Sequence, residues 1–392
     1  MERAVITGLG VISCLGLDID SYWAGLMRAH QRPSEVPDPH ANMSNRLLYQ
    51  VTGFTSPEVG TGAGRLGRTS SFAVAAAQQA VRDAGLSPTA LADAGVSIGT
   101  GVGDTSLYED VPAGGAFPTG ADAFPFKVAS ALAGELNLSG PMTSVSTACS
   151  ASAYSVSLAA DMIRNGEADV VITGGADGYT RVGVACFNRM GALDPDRCRP
   201  FDAERRGTVF GEGAAVMVLE SESHARARGR TNWYATVEGA GWSCDGFHPT
   251  APEGRGTQIV RAMRGALDEA GLRPEDVGCV VPHGTGTPLN DTVESRSMSA
   301  VFGPAVESLP VYSLKALLGH TGGAAGAFGL LTAALILDRG VIPPNVAIEK
   351  PDPDCVLRLH TDEPVPPASS HALVNAYAFG GNNTSVVIGR TG

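Results

Sequence analysis

No CxxC pair occurs in this chain. Its seven cysteines, Cys14, Cys149, Cys186, Cys198, Cys244, Cys279 and Cys355, are odd in number and irregular in spacing. Such a set supplies neither a disulfide framework nor the ligand spacing of a zinc site, and it fits a reducing, cytoplasmic compartment. Charge is also scarce: Asp, Glu, Lys and Arg make up 17% of 392 residues, and the balance is acidic, at −12. That argues against a general nucleic-acid binder, while leaving room for a local basic patch facing an acidic protein partner. No apolar run reaches membrane-spanning length, and the nearest, 324–337, is short and glycine-rich. No membrane partner is therefore expected. The opening Met1-Glu2-Arg3-Ala4-Val5-Ile6-Thr7-Gly8 reads as a strand entering a glycine turn, without the long apolar stretch of a signal peptide. What the chain has in quantity is glycine, 50 residues, which implies many tight turns and close backbone approaches. The length suffices for one large core or two fused domains.

A degenerate internal repeat organises the chain. Ala80-Val81-Arg82-Asp83-Ala84-Gly85-Leu86-Ser87-Pro88 resembles Ala266-Leu267-Asp268-Glu269-Ala270-Gly271-Leu272-Arg273-Pro274. Each reads as a helix end with glycine just past it and proline beyond. An apolar strand follows each, Val96-Ser97-Ile98 in one half and Cys279-Val280-Val281 in the other. A strand, turn and helix around Cys149 is matched by Val311-Tyr312-Ser313 leading to Gly319-His320 and the 324–337 helix. The 209–219 segment mirrors 378–388. Strands alternating with helices in both halves predict an α/β protein. Ligand sites in such sheets collect at strand C-terminal ends, so Cys149 and His320 are expected to face one shared site. The segment 231–250 reads as the junction, and 34–49 and 112–126 as irregular insertions.

Cys149 stands at the turn between the Val145 strand and a helix-like stretch. There the positive end of the helix dipole favours the reactive thiolate, whereas most free cysteines are simply buried small hydrophobes. Two histidines, His283 in His283-Gly284-Thr285-Gly286-Thr287 and His320 in Gly319-His320-Thr321-Gly322-Gly323, each close a strand among glycines. The other six histidines lack that setting.

Five motifs, Ser146-Thr147-Ala148-Cys149-Ser150, Cys198-Arg199-Pro200-Phe201-Asp202, His283-Gly284-Thr285-Gly286-Thr287-Pro288, Lys315 with Gly319-His320, and Ala378-Phe379-Gly380-Gly381-Asn382, follow one another across nearly the whole chain. In them the chain resembles the elongating β-ketoacyl-acyl-carrier-protein synthases of the thiolase-like superfamily, which serve fatty-acid and type II polyketide synthesis. The resemblance implies two similar βαβαβαββ halves, 1–235 and 236–392, in a layered αβαβα core. It implies that Cys149 carries an acyl thioester, that His283 and His320 stabilise the enolate of a decarboxylating malonyl group, and that Lys315 is an active-site lysine. Backbone N–H groups of Cys149 and Phe379 would form the oxyanion hole. A histidine at 320, where initiating relatives carry Asn and thiolases a second cysteine, favours decarboxylative elongation. A non-condensing acyltransferase and a non-catalytic partner subunit stand as alternatives.

The same resemblance implies further roles. Asp291 and Glu294 match acids able to partner a buried Lys315. Thr250, Thr285 and Thr287 match positions along the phosphopantetheine arm, with ordinary turn residues as the competing reading. Phe379 would gate the acyl pocket, which Val102 and Phe187 would line. No cofactor of the protein's own is expected, because the arm arrives on an acyl-carrier protein. That acidic partner would meet basic residues, for which Lys127, Arg181, Arg189, Arg205 and Arg206 are candidates. A homodimer or a heterodimer with a chain-length-factor-like subunit is expected. One departure stands out: Gly329 occupies the place where relatives usually carry a glutamate.

Overall fold

A computed structural model describes residues 2–57, 66–109, 111 and 123–390. The first half is built from β1 (Ala4–Ile12), α1 (Arg68–Ala84), β2 (Gly95–Gly99), β3 (Met142–Val145), α2 (Ala151–Arg164), β4 (Val170–Asp177) and β5 (Gly213–Ser221). The second is built from β6 (Ala235–Cys244), α3 (Thr257–Ala270), β7 (Cys279–Val281), α4 (Pro288–Phe302), β8 (Pro310–Val311), α5 (Ala325–Arg339), β9 (Arg358–Leu359), β10 (His371–Tyr377) and β11 (Asn382–Gly389).

The strands join in the order β9-β8-β7-β10-β11-β6-β1-β5-β4-β2-β3. The two halves meet at β1 and β6, which pair antiparallel through Ala4–Val237, Val5–Thr236 and Ile6–Ala235. From that junction each half repeats the same sequence of pairings outward, two antiparallel and then two parallel, and the second half adds a third parallel pair, β8 with β9. The 231–250 junction is therefore filled by the strand that joins the halves.

Helices α2 and α5 pack on each other between the two halves of the sheet. Val156, Ala160, Leu331 and Leu335 share one core with the inner faces of both halves. On the outer faces, Phe72, Ala76 and Ala80 of α1 meet Val96, Ile98 and Val218, and Ile259 and Met263 of α3 meet Val280, Leu373 and Val387. Five layers result, in the order αβαβα. The repeat extends to the closeness of packing. A Cβ on Gly10 of β1 would lie 1.9 Å from the Ala76 carbonyl oxygen of α1, and one on Gly241 of β6 would lie 1.9 Å from the Ala262 carbonyl oxygen of α3. Only glycine lets each helix sit directly on its strand. Both helices end as the sequence predicts, with Gly85 and Gly271 left-handed at φ +68° and +67°.

Segment 34–49 departs from the expected irregular loop. Ser34–Glu35 and Leu47–Tyr49 form a three-stranded sheet with Phe210–Gly211, because Val36, Ala41 and Leu48 bury a small apolar cluster of their own. Most of the 112–126 insertion lies outside the described residues. No helix among the described residues is long and apolar enough to cross a membrane.

Candidate active site

Strand β3 ends at Val145, and a single 3-10 turn, Ala148–Ser150, leads into α2. Ala148 is held at φ +48°, a left-handed conformation that a residue with a side chain adopts at a cost of about 1–3 kcal/mol. That turn places Cys149 at the meeting point of two cavities. One, of about 420 Å³, is lined by Cys149, His283, His320, Thr250, Thr285 and Thr287 among others. The second, of about 140 Å³, is lined by Val102, Asp177, Tyr179, Val184 and Phe210. Cys149, Phe187 and Phe379 line both. The Phe187 and Phe379 rings stack at 5.1 Å, 11° apart, across the passage between them.

Both histidines reach the larger cavity from the second half. His320 is fastened into the backbone on each side: its N–H donates to the Val209 carbonyl at 2.8 Å, and its own carbonyl accepts from Gly211 N–H at 3.0 Å. Its Nδ1 accepts a hydrogen bond from Gly322 N–H at 3.2 Å. An imidazole accepting at Nδ1 and kept neutral carries its proton on Nε2. Burial, followed by the nearby Lys315 charge, pushes the His320 pKa down to about 3. Burial likewise drives His283 well below the usual histidine range, with Lys315 and His320 adding to it. The Lys315 ammonium lies 3.4 Å from His283 Nδ1 and donates to the His283 carbonyl. His283 Nδ1 is therefore also an acceptor, and its proton also sits on Nε2. The rings stand 5.5 Å apart, nearly perpendicular. The site thus presents two neutral N–H donors.

Asp291 and Glu294 do not serve as direct ion-pair partners of Lys315. Their oxygens are taken mainly by backbone, with Arg205 and Asn290 also on Asp291 and Asn375 also on Glu294. Glu294 accepts from the N–H groups of His283 and Gly284, both at 2.7 Å. Asp291 accepts from Phe201 at 2.8 Å, Thr285 at 3.0 Å and Gly286 at 3.1 Å. The two acids therefore fix the His283 loop, and their charge reaches Lys315 through space. Burial raises the Glu294 pKa to about 7.

The Cys149 thiol reverses the expectation drawn from the helix dipole. Enclosure pushes its pKa up to about 11, although Lys315 and the Phe379 N–H pull the other way. Desolvation of the thiolate is the largest influence on this thiol. The Phe379 and Cys149 N–H groups both lower the thiol pKa, against burial.

Of the arm-binding candidates, the Thr285 and Thr287 hydroxyls bond each other at 2.8 Å. His248, not singled out by the sequence, also lines the large cavity, and its Nδ1 accepts from the N–H groups of Thr250 and Ala251, both at 3.1 Å. The basic candidates separate. Arg205 is buried, bound to Asp352, Thr292 and the Asp202 carbonyl. Arg181 is bound to Asp38 at 2.8 Å. Both are committed internally and drop from the patch. Arg189 and Arg206 are exposed, and Arg206 lines the mouth of the large cavity. Gly329 packs tightly: a Cβ there would lie 2.7 Å from Val374 Cγ1. Asp177, at the end of β4, lines the smaller cavity and was also missed; its only sequence signal is a single acid closing an apolar strand.

The β-ketoacyl synthase N-terminal domain matches residues 1–225 and its C-terminal domain residues 234–349. Nodulation protein E of Rhizobium meliloti is 37% identical over 97% of this chain and 98% of its own. The 3-oxoacyl-[acyl-carrier-protein] synthase 2 of Staphylococcus aureus (strain COL) is 31% identical over 98% of both. Among solved structures, the ishigamide ketosynthase/chain length factor superposes with a TM-score of 0.91 at 36% identity, covering both chains completely.

Proposed function

The chain belongs to the β-ketoacyl synthase family, and from that premise we propose that it elongates a carrier-bound acyl chain by decarboxylative condensation, in fatty-acid or type II polyketide synthesis. In the first stage the Cys149 sulfur attacks the acyl thioester, and the departing phosphopantetheine thiol takes the Cys149 proton. In the second, a malonyl thioester loses carbon dioxide, and the electron pair of the broken carbon–carbon bond becomes an enolate. The enolate carbon attacks the Cys149 thioester, a new carbon–carbon bond forms, and the released Cys149 thiolate takes a proton from water. The product is a β-ketoacyl chain two carbons longer.

One observation carries this reading: two imidazoles, held neutral and each bearing its proton on Nε2, stand 5.5 Å apart in the cavity that also holds Cys149. Two neutral donors suit an oxygen that gains charge during decarboxylation. We assign the Cys149 and Phe379 N–H groups to the oxyanion of acyl transfer, Lys315 to holding His283, and Thr250, Thr285 and Thr287 to the arm. Phe379 serves as the gate and Val102 and Phe187 as acyl-cavity wall. The protein needs no cofactor of its own in this scheme, since the arm arrives on the carrier protein. The division at 235/236 assigns the nucleophile to one half and both histidines to the other.

A dimer is part of the proposal. Strand β3 ends the sheet among the described residues, and Met142 on it and the nearby Phe124 and Phe126 are about half exposed. The partner is a second copy or a chain-length-factor-like subunit; one similar solved structure is the ishigamide ketosynthase/chain length factor. A cytoplasmic location agrees with seven unpaired cysteines.

The test is intact-protein mass spectrometry after mixing with an acyl-carrier protein, followed by malonyl-carrier protein with carbon dioxide collected. An adduct on wild type, absent from Cys149→Ala, and stoichiometric carbon dioxide with a product two carbons longer are expected. An adduct without carbon dioxide makes the protein a non-condensing acyltransferase. No adduct makes it a non-catalytic partner.

A further inference from the structure

Asp177 is 5% exposed and closes β4. Its carboxylate is surrounded by donors from both halves of the molecule. From the first half it accepts the Thr100 hydroxyl at 2.6 Å, Gly101 N–H at 2.9 Å and Val102 N–H at 3.3 Å. From the second half it accepts Gly323 N–H at 2.5 Å. The socket is closed to anything larger. A Cβ on Gly322, which is left-handed at φ +58°, would come within 2.5 Å of the carboxylate, and one on Gly323 within 2.3 Å of Gly101 N. Four donors to one buried carboxyl are more than a fold needs to neutralise a charge it could have left in water.

The location says what the bonds do. Gly101 and Val102 wall the smaller cavity beside Cys149. Gly322 and Gly323 form the turn directly after His320, and Gly322 N–H is the donor that fixes His320 Nδ1 as an acceptor. We propose that Asp177 is a positioning residue that locks the 322–323 turn against the 100–102 turn and so holds His320 with its proton on Nε2, ready for the enolate. This rests on the condensing reaction proposed above. The carboxylate has a second, opposite effect on the nucleophile. Its charge is one of the influences raising the Cys149 pKa, against Lys315, which lowers it, while His283 and His320 stand neutral nearby.

The two effects give a signature that simple loss of folding does not. Asp177→Asn keeps the shape but turns an NH2 toward backbone donors. Condensation should fall about 30-fold, the size of a lost charge-assisted hydrogen bond, with Cys149 acylation changed less than about threefold. Alkylation of Cys149 by iodoacetamide, followed on its peptide, should move to lower pH in the variant, because the opposing charge is gone. Thr100→Val, which removes one hydroxyl donor, should shift both readings the same way by less, and it keeps the test decisive should the first variant fold poorly. Equal loss of acylation and condensation, or an alkylation profile unmoved in both variants, overturns the assignment. A wild type that takes the acyl group but releases no carbon dioxide overturns the condensing reading and this inference with it. A variant that condenses like a condensing wild type overturns this inference alone.

Discussion

The most exposed prediction concerns the nucleophile itself. With its pKa near 11, Cys149 at pH 7.5 is thiolate in only about 3 molecules in 10,000, against about one in ten for an ordinary cysteine of pKa about 8.5. Thiolate abundance alone thus slows alkylation about 300-fold. A more basic thiolate is also a better nucleophile, and a Brønsted slope of about 0.4–0.5 over that difference returns about 10- to 20-fold. Cys149 should therefore react about 15–30 times more slowly with iodoacetamide than an unperturbed thiol at pH 7.5. Its rate should climb close to tenfold per pH unit up to about pH 10. The assay is a brief iodoacetamide pulse at each pH, with the Cys149 peptide quantified by mass spectrometry apart from those of the exposed Cys186 and Cys244. Lys315→Met should slow the reaction further, since Lys315 is the largest influence opposing burial. A rate that levels off below pH 9 would refute the reasoning. It would mean that the helix-end turn, and not enclosure, governs the sulfur, and that acyl transfer starts from a standing thiolate.

Acid should stop condensation before it charges the imidazoles. His320 stays neutral to about pH 3, whereas the Glu294 and Asp177 carboxyls, raised by burial to about 7 and about 6, take up protons first and lose acceptor capacity for the His283 and His320 loops. The rate should fall between pH 7 and 6 while histidine NMR signals of the site remain those of neutral rings; coincident titration of rings and rate would contradict this. The same raised carboxyls bind protons more tightly folded than unfolded, so they favour the fold as pH falls through that window, and thermal melts should show no unfolding there. Phe379→Ala removes one ring of the stack with Phe187 but keeps the backbone donor, so the acyl-enzyme should hydrolyse about 2- to 10-fold faster by mass spectrometry while still forming, as loss of an aromatic pair implies. Gly329→Ala should lower the melting temperature, because crowding Val374 costs about 1–3 kcal/mol against about 1 kcal/mol of helix propensity gained.

How far the site can be read from the chain depends on how local its causes are. Cys149 was legible as a thiol between a strand and a helix, His283 and His320 as imidazoles among glycines, and the repeat placed Cys149 and His320 in matching loops. The same repeat announced the paired helix ends at Gly85 and Gly271. The direction of the Cys149 shift was not legible. A helix terminus can be read from neighbouring residues, but the enclosure that overrides it is built from Val102, Phe187, His320 and Phe379, which the chain brings from four separate segments. Asp177 escaped for the same reason: its donors lie 77 and 146 residues away. Arg181 and Arg205 misled because a basic residue looks alike in sequence whether it faces solvent or a buried acid.

The distribution of charge around Cys149 follows from which half supplies it. The chain has only three lysines, Lys127, Lys315 and Lys350, and it buries one of them beside His283. A buried ammonium costs more than a surface one, so its place needs a use. Lys315 comes from the second half, ties down His283 Nδ1 and draws the Cys149 pKa downward; Asp177 comes from the first half, ties down the turn after His320 and draws it upward. Each charge thus fixes one histidine while opposing the other's effect on the sulfur. A site built this way can hold both imidazoles neutral and oriented without committing the cysteine to a permanent thiolate. That suits a thiol which must first accept an acyl group and then leave it when the enolate arrives.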